Sequence, residues 1–444
     1  MWVKTTTPPA SMKVRADCDS LTSRAGTALL TGVADRVGLT GALVGSLSDL
    51  RERRGRHQPG RVLRDLAVML ADGGDALCDL GALRDQEVLF GPVASDATAW
   101  RLICGLDEKR LAQVRAARAR ARRRVWALTG PPQRLILDID ATLVAAHSEK
   151  EGAAGTYKGG FGFHPLLCFE ATSGEALSGI LRPGNAGSNT AADHIEVLAR
   201  ALEQLPAGAL DPGTLVRCDS GGATHEFTDA VAQAGLSFSV GFDLSEGVRN
   251  AILSVPESAW IPALGAEGGE RDGAWVSELA LDLASAGWPP GTRAICRRER
   301  PHPGAQLSFS DANGYRFQVF ITNQSGGRIA RLEQVHRSRA AVEDSIRCAK
   351  ASGLRNLPFR AFAPNAAWLE LVLLGYDLVA WAKNLLFEGE LASCEPKRLR
   401  YRLLHVAGRI VSHAGGISLH LPRRWPWSEA LVRAFARLQA LPSP

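Results

Sequence analysis

The stretch that most constrains the fold is residues 135–144, LILDIDATLV. A short apolar run behind Pro131-Pro132 suits a buried central strand. Side chains alternate along a strand, so Asp138 and Asp140 share one face, with Asp140 nearer the exit end. A carboxylate at the end of a buried strand is costly unless a cation meets it, and a divalent metal is the usual answer. Asp138, one pleat deeper, is expected to play an auxiliary part, as is Thr142 just past the strand.

The same logic recurs at residues 215–219, LVRCD, where another short strand ends in Asp219 and runs into Ser220-Gly221-Gly222. Glycines there let a backbone or a ligand approach the carboxylate closely. A third acid lies on a helix predicted over residues 326–350. At 100° per residue, His336, Arg339, Glu343, Arg347 and Lys350 fall in one narrow arc, beside an apolar stripe of Val335, Val342, Ile346 and Ala349. Two strand-end aspartates and a helix-borne glutamate suit two Mg²⁺ ions, with Mn²⁺ able to substitute, placed on either side of a scissile phosphate.

At 444 residues the chain is long enough for several domains, and its net charge is only +6. The basic residues are nevertheless clustered. Residues 101–130 carry nine Lys/Arg against two Asp/Glu, which points to a polyanionic partner. Within them, residues 110–124 (RLAQVRAARARARRR) read as a strong helix whose Arg115, Arg118, Arg122 and Arg123 are expected to bind phosphate. The eight cysteines are scattered without metal-ligand spacing, which argues against zinc and against a disulfide scaffold and fits a reducing cytoplasm. The N-terminus has no apolar core of a signal peptide, and the most apolar stretch, 366–387, is broken by Glu370, Asp377 and Lys383 and reads as a buried helix, so no membrane partner is expected.

In chain order, residues 1–20 read as an unstructured tail. Residues 21–130 read as a helical DNA-binding region, with a helix-turn-helix pattern around Ala34 and Gly38 and a basic linker over 51–64. Residues 131–242 alternate strand and helix, with strands at 163–169, 176–181 and 236–241. Residues 243–310, rich in Gly, Pro and Trp, read as a β-rich insertion; 311–390 resume the α/β unit and 391–444 form a basic helical tail. In that tail Tyr401, Trp425 and Trp427 interleave with arginines, a pattern that suits nucleic acid and domain packing equally.

These motifs together resemble bacterial insertion-sequence transposases of the DDE class, in the subgroup called transposase DDE domain group 1. The resemblance rests on Asp140-Ala141-Thr142, on Asp219-Ser220-Gly221, and on His336, Arg339, Glu343 and Lys350 at the spacing Y-x-x-R-x-x-x-E-x-x-x-x-x-x-K, with His in place of Tyr. It spans roughly residues 85–435. It implies an α/β fold: a ribonuclease-H-like mixed sheet flanked by helices and interrupted by the insertion, with helical regions at both ends. It further implies catalysis and metal binding by Asp140, Asp219 and Glu343, with DNA contacts from His336, Arg339, Arg347 and Lys350. The partners would be double-stranded DNA, namely terminal inverted repeats and target, and a second copy of the chain in the working complex. Two alternatives remain at this point. Asp138-Ile139-Asp140-Ala141-Thr142 also matches the first motif of haloacid-dehalogenase-type phosphatases, and a transposase-derived protein could bind DNA without cutting it.

Overall fold

The computed structural model describes residues 15–50, 56–147, 149–301, 304, 311–312, 314–414 and 416–444. The expected tail therefore lies largely outside the described residues, as do the first five residues of the basic linker.

The N-terminal region is helical. Helices α1 (Ala28–Arg36) and α2 (Leu39–Ser46) meet at 69° across Gly38, whose φ of 78° suits a residue without Cβ. Helix α3 (Pro59–Ala71) takes up the last residues of the supposed linker, and Arg64 there is buried against Asp65 at 2.6 Å. The α1–α2 turn thus forms as the pattern predicts, but Leu29, Leu30, Val33, Leu39 and Leu43 are all buried. A Cβ on Gly60 would lie 2.3 Å from the Val44 amide nitrogen, so α2 and α3 cross in close contact.

Helix α4 (Glu108–Thr129) carries the arginine run, and here the structure corrects the sequence reading. Arg115, Arg118 and Arg122 do not face solvent. They point inward to acids from distant parts of the chain. Arg118 Nε donates to Asp377 at 2.6 Å, and Arg122 donates to Glu175 at 3.0 Å and Asp377 at 2.5 Å. Arg115 donates to Glu370 at 3.1 Å. Glu175 also accepts the indole N–H groups of Trp126 at 2.7 Å and Trp381 at 2.6 Å. With Arg118 1% and Arg122 0% exposed, these cations are out of reach of a phosphate backbone. Of the four expected phosphate binders on this helix, only Arg123 is exposed.

The central α/β unit is built on strands β1 (Ile136–Ala141), β2 (Leu166–Glu170) and β3 (Ala176–Ile180), followed by helix α5 (Ala191–Glu203), strand β4 (Leu215–Cys218), helix α6 (His225–Gln233) and strand β5 (Ser237–Phe242). β1, β2 and β3 form an antiparallel meander, while β4 pairs parallel to β1 and β5 parallel to β4. The spatial order β3-β2-β1-β4-β5 with these senses is that of a ribonuclease-H-like core. β2 and β3 are buried along their whole length, which is why they read as continuous apolar runs.

The insertion does not stand apart from this sheet. Its strands β6 (Ile261–Leu264), β7 (Glu270–Leu279) and β8 (Arg293–Glu299), joined through β9 (Tyr315–Thr322) of the segment that follows, extend the sheet from the β5 edge, giving the path β6-β7-β8-β9-β5-β4-β1-β2-β3. β9 supplies the junction, pairing antiparallel with β5 through Val319–Phe242 to Thr322–Ser239.

The helix expected over 326–350 is broken. Helix α7 (Ile329–Arg337) packs on β6 and β7, where Ala330 joins Ala263, Ala274 and Val276 in a small core. A 3-10 turn at Ser338–Ala340 then leads into α8 (Ala341–Ala349), which buries Val342, Ile346 and Ala349 toward β1. The break falls where the chain passes from β6 and β7 to β1. Helix α9 (Phe362–Leu386) is almost wholly buried, as its apolar run predicts, and α10 (Ser428–Ala440) packs against it. A Cβ on Gly375 of α9 would lie 2.7 Å from the Ala67 carbonyl of α3, so the terminal helices and the sheet share one core. Among the described residues no single helix is long and apolar enough to cross a membrane.

Candidate active site

β1 and β4 are parallel neighbours, so their carboxyl ends lie side by side. Asp140 is the penultimate residue of β1, and Asp219 follows the last residue of β4. Asp219 caps the 3-10 turn Ser220–Gly222 by accepting the Gly221 N–H at 3.0 Å. β5 packs tightly behind that turn: a Cβ on Gly241 would lie 2.8 Å from the Ser220 nitrogen and 3.1 Å from the Asp219 carbonyl carbon. α8 presents Glu343 to the same end of the sheet.

Their proximity registers in the electrostatics. Burial pushes the Asp140 carboxyl up to about 6, and the negative charges of Asp219 and Glu343 add to that rise. Arg339, whose Nη1 is 3.5 Å from Asp140 Oδ2, and the Ala141 N–H oppose it. A cleft of about 550 Å³ opens beside these groups, lined among others by Asp219, Glu343, Arg297, His336, Arg337 and Arg339. Carboxylate oxygens are the hard donors that a divalent cation prefers, and Asp140, Asp219 and Glu343 lie close enough for their charges to interact. Among the described residues no three His, Cys, Asp or Glu side chains are already placed together as a metal site, so the acids would have to draw closer to hold an ion.

Asp138 plays a different part from Asp140. The β1–β4 register sets it directly opposite Arg217, which donates to both its oxygens at 2.6 and 2.7 Å. Both residues are buried. The same guanidinium donates to Ser338 Oγ at 2.5 Å and to the Val335 carbonyl, at the break between α7 and α8. Asp138 is therefore spent on an internal ion pair, and the phosphatase reading, which needs it as a nucleophile, fails on that geometry.

A family model described as Transposase DDE domain group 1 matches residues 5–443. The chain belongs to that family. DDE transposases cleave and transfer DNA and generally use divalent metal ions. Among solved structures, a piggyBac transposase synaptic complex with hairpin DNA is similar at 11% identity and a TM-score of 0.41, over 85% of this chain and 80% of that one. No curated protein matches the sequence.

Within this DDE transposase, the other residues of the third motif part ways. Arg339 faces Asp140 in the cleft. His336 hydrogen-bonds Ser239 at 2.9 Å and stacks on Phe320 at 4.3 Å. Burial and the nearby Arg339, Arg217 and Arg297 push its pKa down to about 3. Arg347 is not among the residues lining the cleft; it pairs with Asp344 and with Glu395, which it meets at 2.8 and 3.0 Å. Lys350 donates to the Leu143 carbonyl at 2.9 Å and so steadies the loop behind the D-x-T motif. Thr142 is buried in that loop, its N–H bonded to the Pro165 carbonyl at 3.0 Å.

Sequence reasoning missed Arg217, Arg297 and Arg337. Glu333 is buried and accepts from both Arg297 and Arg337 at 2.9 Å. The Glu333–Arg337 spacing of four residues on a helix was a readable sign of half this network. Arg217 could have been suspected as a cation within an otherwise apolar strand, but its partner lies 79 residues away in the chain.

Proposed function

We propose that this transposase binds the terminal inverted repeats of its element and carries out metal-dependent cleavage and strand transfer. Asp140, Asp219 and Glu343 would hold two divalent ions, Mg²⁺ with Mn²⁺ as a substitute. What supports this reading is that Asp219 and Glu343 line one cleft with Arg297, Arg337 and Arg339, while Asp140, at the neighbouring strand end, feels the charge of both acids. When bound, the ions supply an activated water or 3′-hydroxyl and stabilise the leaving oxygen.

The remaining chemistry belongs to the chain. Arg339, whose guanidinium lies beside Asp140 and lines the cleft, would be the group to take a phosphate oxygen at the cut. The Gly221 N–H fixes one oxygen of Asp219, which limits how that carboxylate can turn. Arg217, through Asp138 and Ser338, holds β1, β4 and the start of α8 at a set separation. A dimeric synaptic complex working on chromosomal DNA in the cytoplasm is part of the same proposal.

The test is cleavage of a labelled duplex carrying the element's own terminal repeat in Mg²⁺. Asp140→Asn, Asp219→Asn and Glu343→Gln are each expected to abolish it. Retention of cleavage by Glu343→Gln would overturn the assignment.

A further inference from the structure

Residues 397–424 contain seven Lys/Arg and not one Asp or Glu. The segment includes a hairpin of strands β10 (Gly408–His413) and β11 (Gly416–His420). Just past it, three aromatic rings gather at the surface. Trp425 and Trp427 lie 5.3 Å apart, and Tyr401 sits edge-on to both at 5.6 and 6.5 Å. The two indoles are half-buried, with Trp425 Nε1 bonded to the Arg402 carbonyl at 2.8 Å, so they form a fixed floor. Tyr401 stands on that floor 65% exposed, and Arg402 lies over the Trp427 ring at 4.8 Å. Around them Arg398, Arg409, Arg423 and Arg424 are exposed. Among the described residues no carboxylate is within ion-pair distance of Arg409, Arg423 or Arg424.

This surface is anchored to the catalytic helix. Glu395, two residues ahead of the basic segment, takes both guanidinium ends of Arg347 on α8. Arg400 is buried and donates to Ser352 Oγ at 2.8 Å, in the turn that follows Lys350. Glu390 meets Arg402 at 2.8 Å and Arg398 at 3.8 Å, but among the described residues Arg409, Arg423 and Arg424 are left unbalanced, and a packing interface between copies would leave them so. A strand of phosphates supplies the charges, and its bases supply flat faces for an exposed tyrosine.

We propose that Tyr401, on the floor of Trp425 and Trp427, with Arg402 over one indole and Arg423-Arg424 next to them in the chain, is a second DNA-contact surface that stacks an unpaired base of a single strand leaving the catalytic cleft. The inference rests on the transposase reading for its biological context, but its test needs no cleavage. The full-length protein would be titrated with fluorescent oligothymidylate, following anisotropy and tryptophan emission. Stacking quenches the indole floor as the oligonucleotide binds. Tyr401→Ala is expected to weaken oligothymidylate binding about tenfold while leaving affinity for a blunt duplex unchanged. Arg423→Ala with Arg424→Ala is expected to lower the salt dependence of binding by a slope of about 1.4, the loss of two single-strand phosphate contacts.

Unchanged oligothymidylate affinity in both variants would overturn the proposal. So would a wild-type protein that self-associates in sedimentation through a contact Tyr401→Ala abolishes, since the surface would then join two copies. If the variants bind weakly as expected but no repeat-bearing duplex is ever cut, the transposase reading fails alone. If cutting is normal and the variants bind like wild type, only this surface is misassigned.

Discussion

Arg217 grips Asp138 with two hydrogen bonds, 2.6 and 2.7 Å long, inside the sheet and directly behind the acid at the end of β1. The third arm of the same guanidinium reaches Ser338 at the root of α8. Breaking one side of a buried pair leaves the other charge stranded, at a cost of about 3–5 kcal/mol. Asp138→Asn should therefore lower stability by that order in denaturant titration. Cleavage by the fraction that stays folded should persist, unlike that of Asp140→Asn. Equal loss of per-molecule activity in the two variants would make Asp138 a direct ligand.

The elevated pKa of Asp140 carries a pH signature in the metal-free protein. A carboxyl raised from 3.8 to about 6 is more easily protonated folded than unfolded. Its contribution to stability is full below its unfolded pKa and is lost as pH rises through the folded one. Melting curves of wild type and Asp140→Asn without metal should diverge between pH 4 and about 6, with the variant the more stable above that window. Divalent metal should reverse the order at neutral pH, because it favours the ionised form. Parallel curves across this range would show that the acids are not crowded.

The arginines buried in α4 predict a stability effect in place of a binding one. Arg122→Met takes from Glu175 its cation and leaves Asp377 with Arg118 alone, and should cost about 3 kcal/mol by chemical denaturation. The salt slope of DNA binding, measured on the folded protein, should not move. A reduced slope would return Arg122 to the phosphate contacts.

Gly241 sits behind the Asp219 turn with no room for a methyl group. Gly241→Ala must push that turn outward, since the atoms it meets are backbone. A displacement approaching 1 Å at a ligand should slow cleavage by roughly 10–100-fold. Thermal melting would show whether the sheet survives; normal cleavage in a folded variant would mean the turn yields elsewhere.

The strand of Asp138 and Asp140, the strand end at Asp219 and the apolar stripe of α8 were all legible, because each is written in local periodicity. The mistaken reading of α4 has a different origin. Its cations are indeed too dense to be balanced locally, but the balance comes from Glu175, 53 residues beyond Arg122, and from Asp377, 255 beyond it. The acids interrupting the apolar run of α9 were the visible half of that network, since a carboxylate within a buried helix needs a cation from elsewhere. The place of the insertion was hidden for a similar reason. Alternation reveals a strand such as β9 but not which edge it joins, and the pairing of β9 with β5 is a long-range choice.

That pairing turns the insertion into a yardstick. Six strand-to-strand steps separate β1, which bears Asp140, from β6 at the far edge. At ~4.8 Å per step this is about 29 Å, the rise of about eight base pairs of duplex. A hinged appendage could slide along a double helix and lose count. A continuous sheet holds its outermost strand at a constant distance from the acids, so any grip there on DNA is also a measurement of where the cut falls.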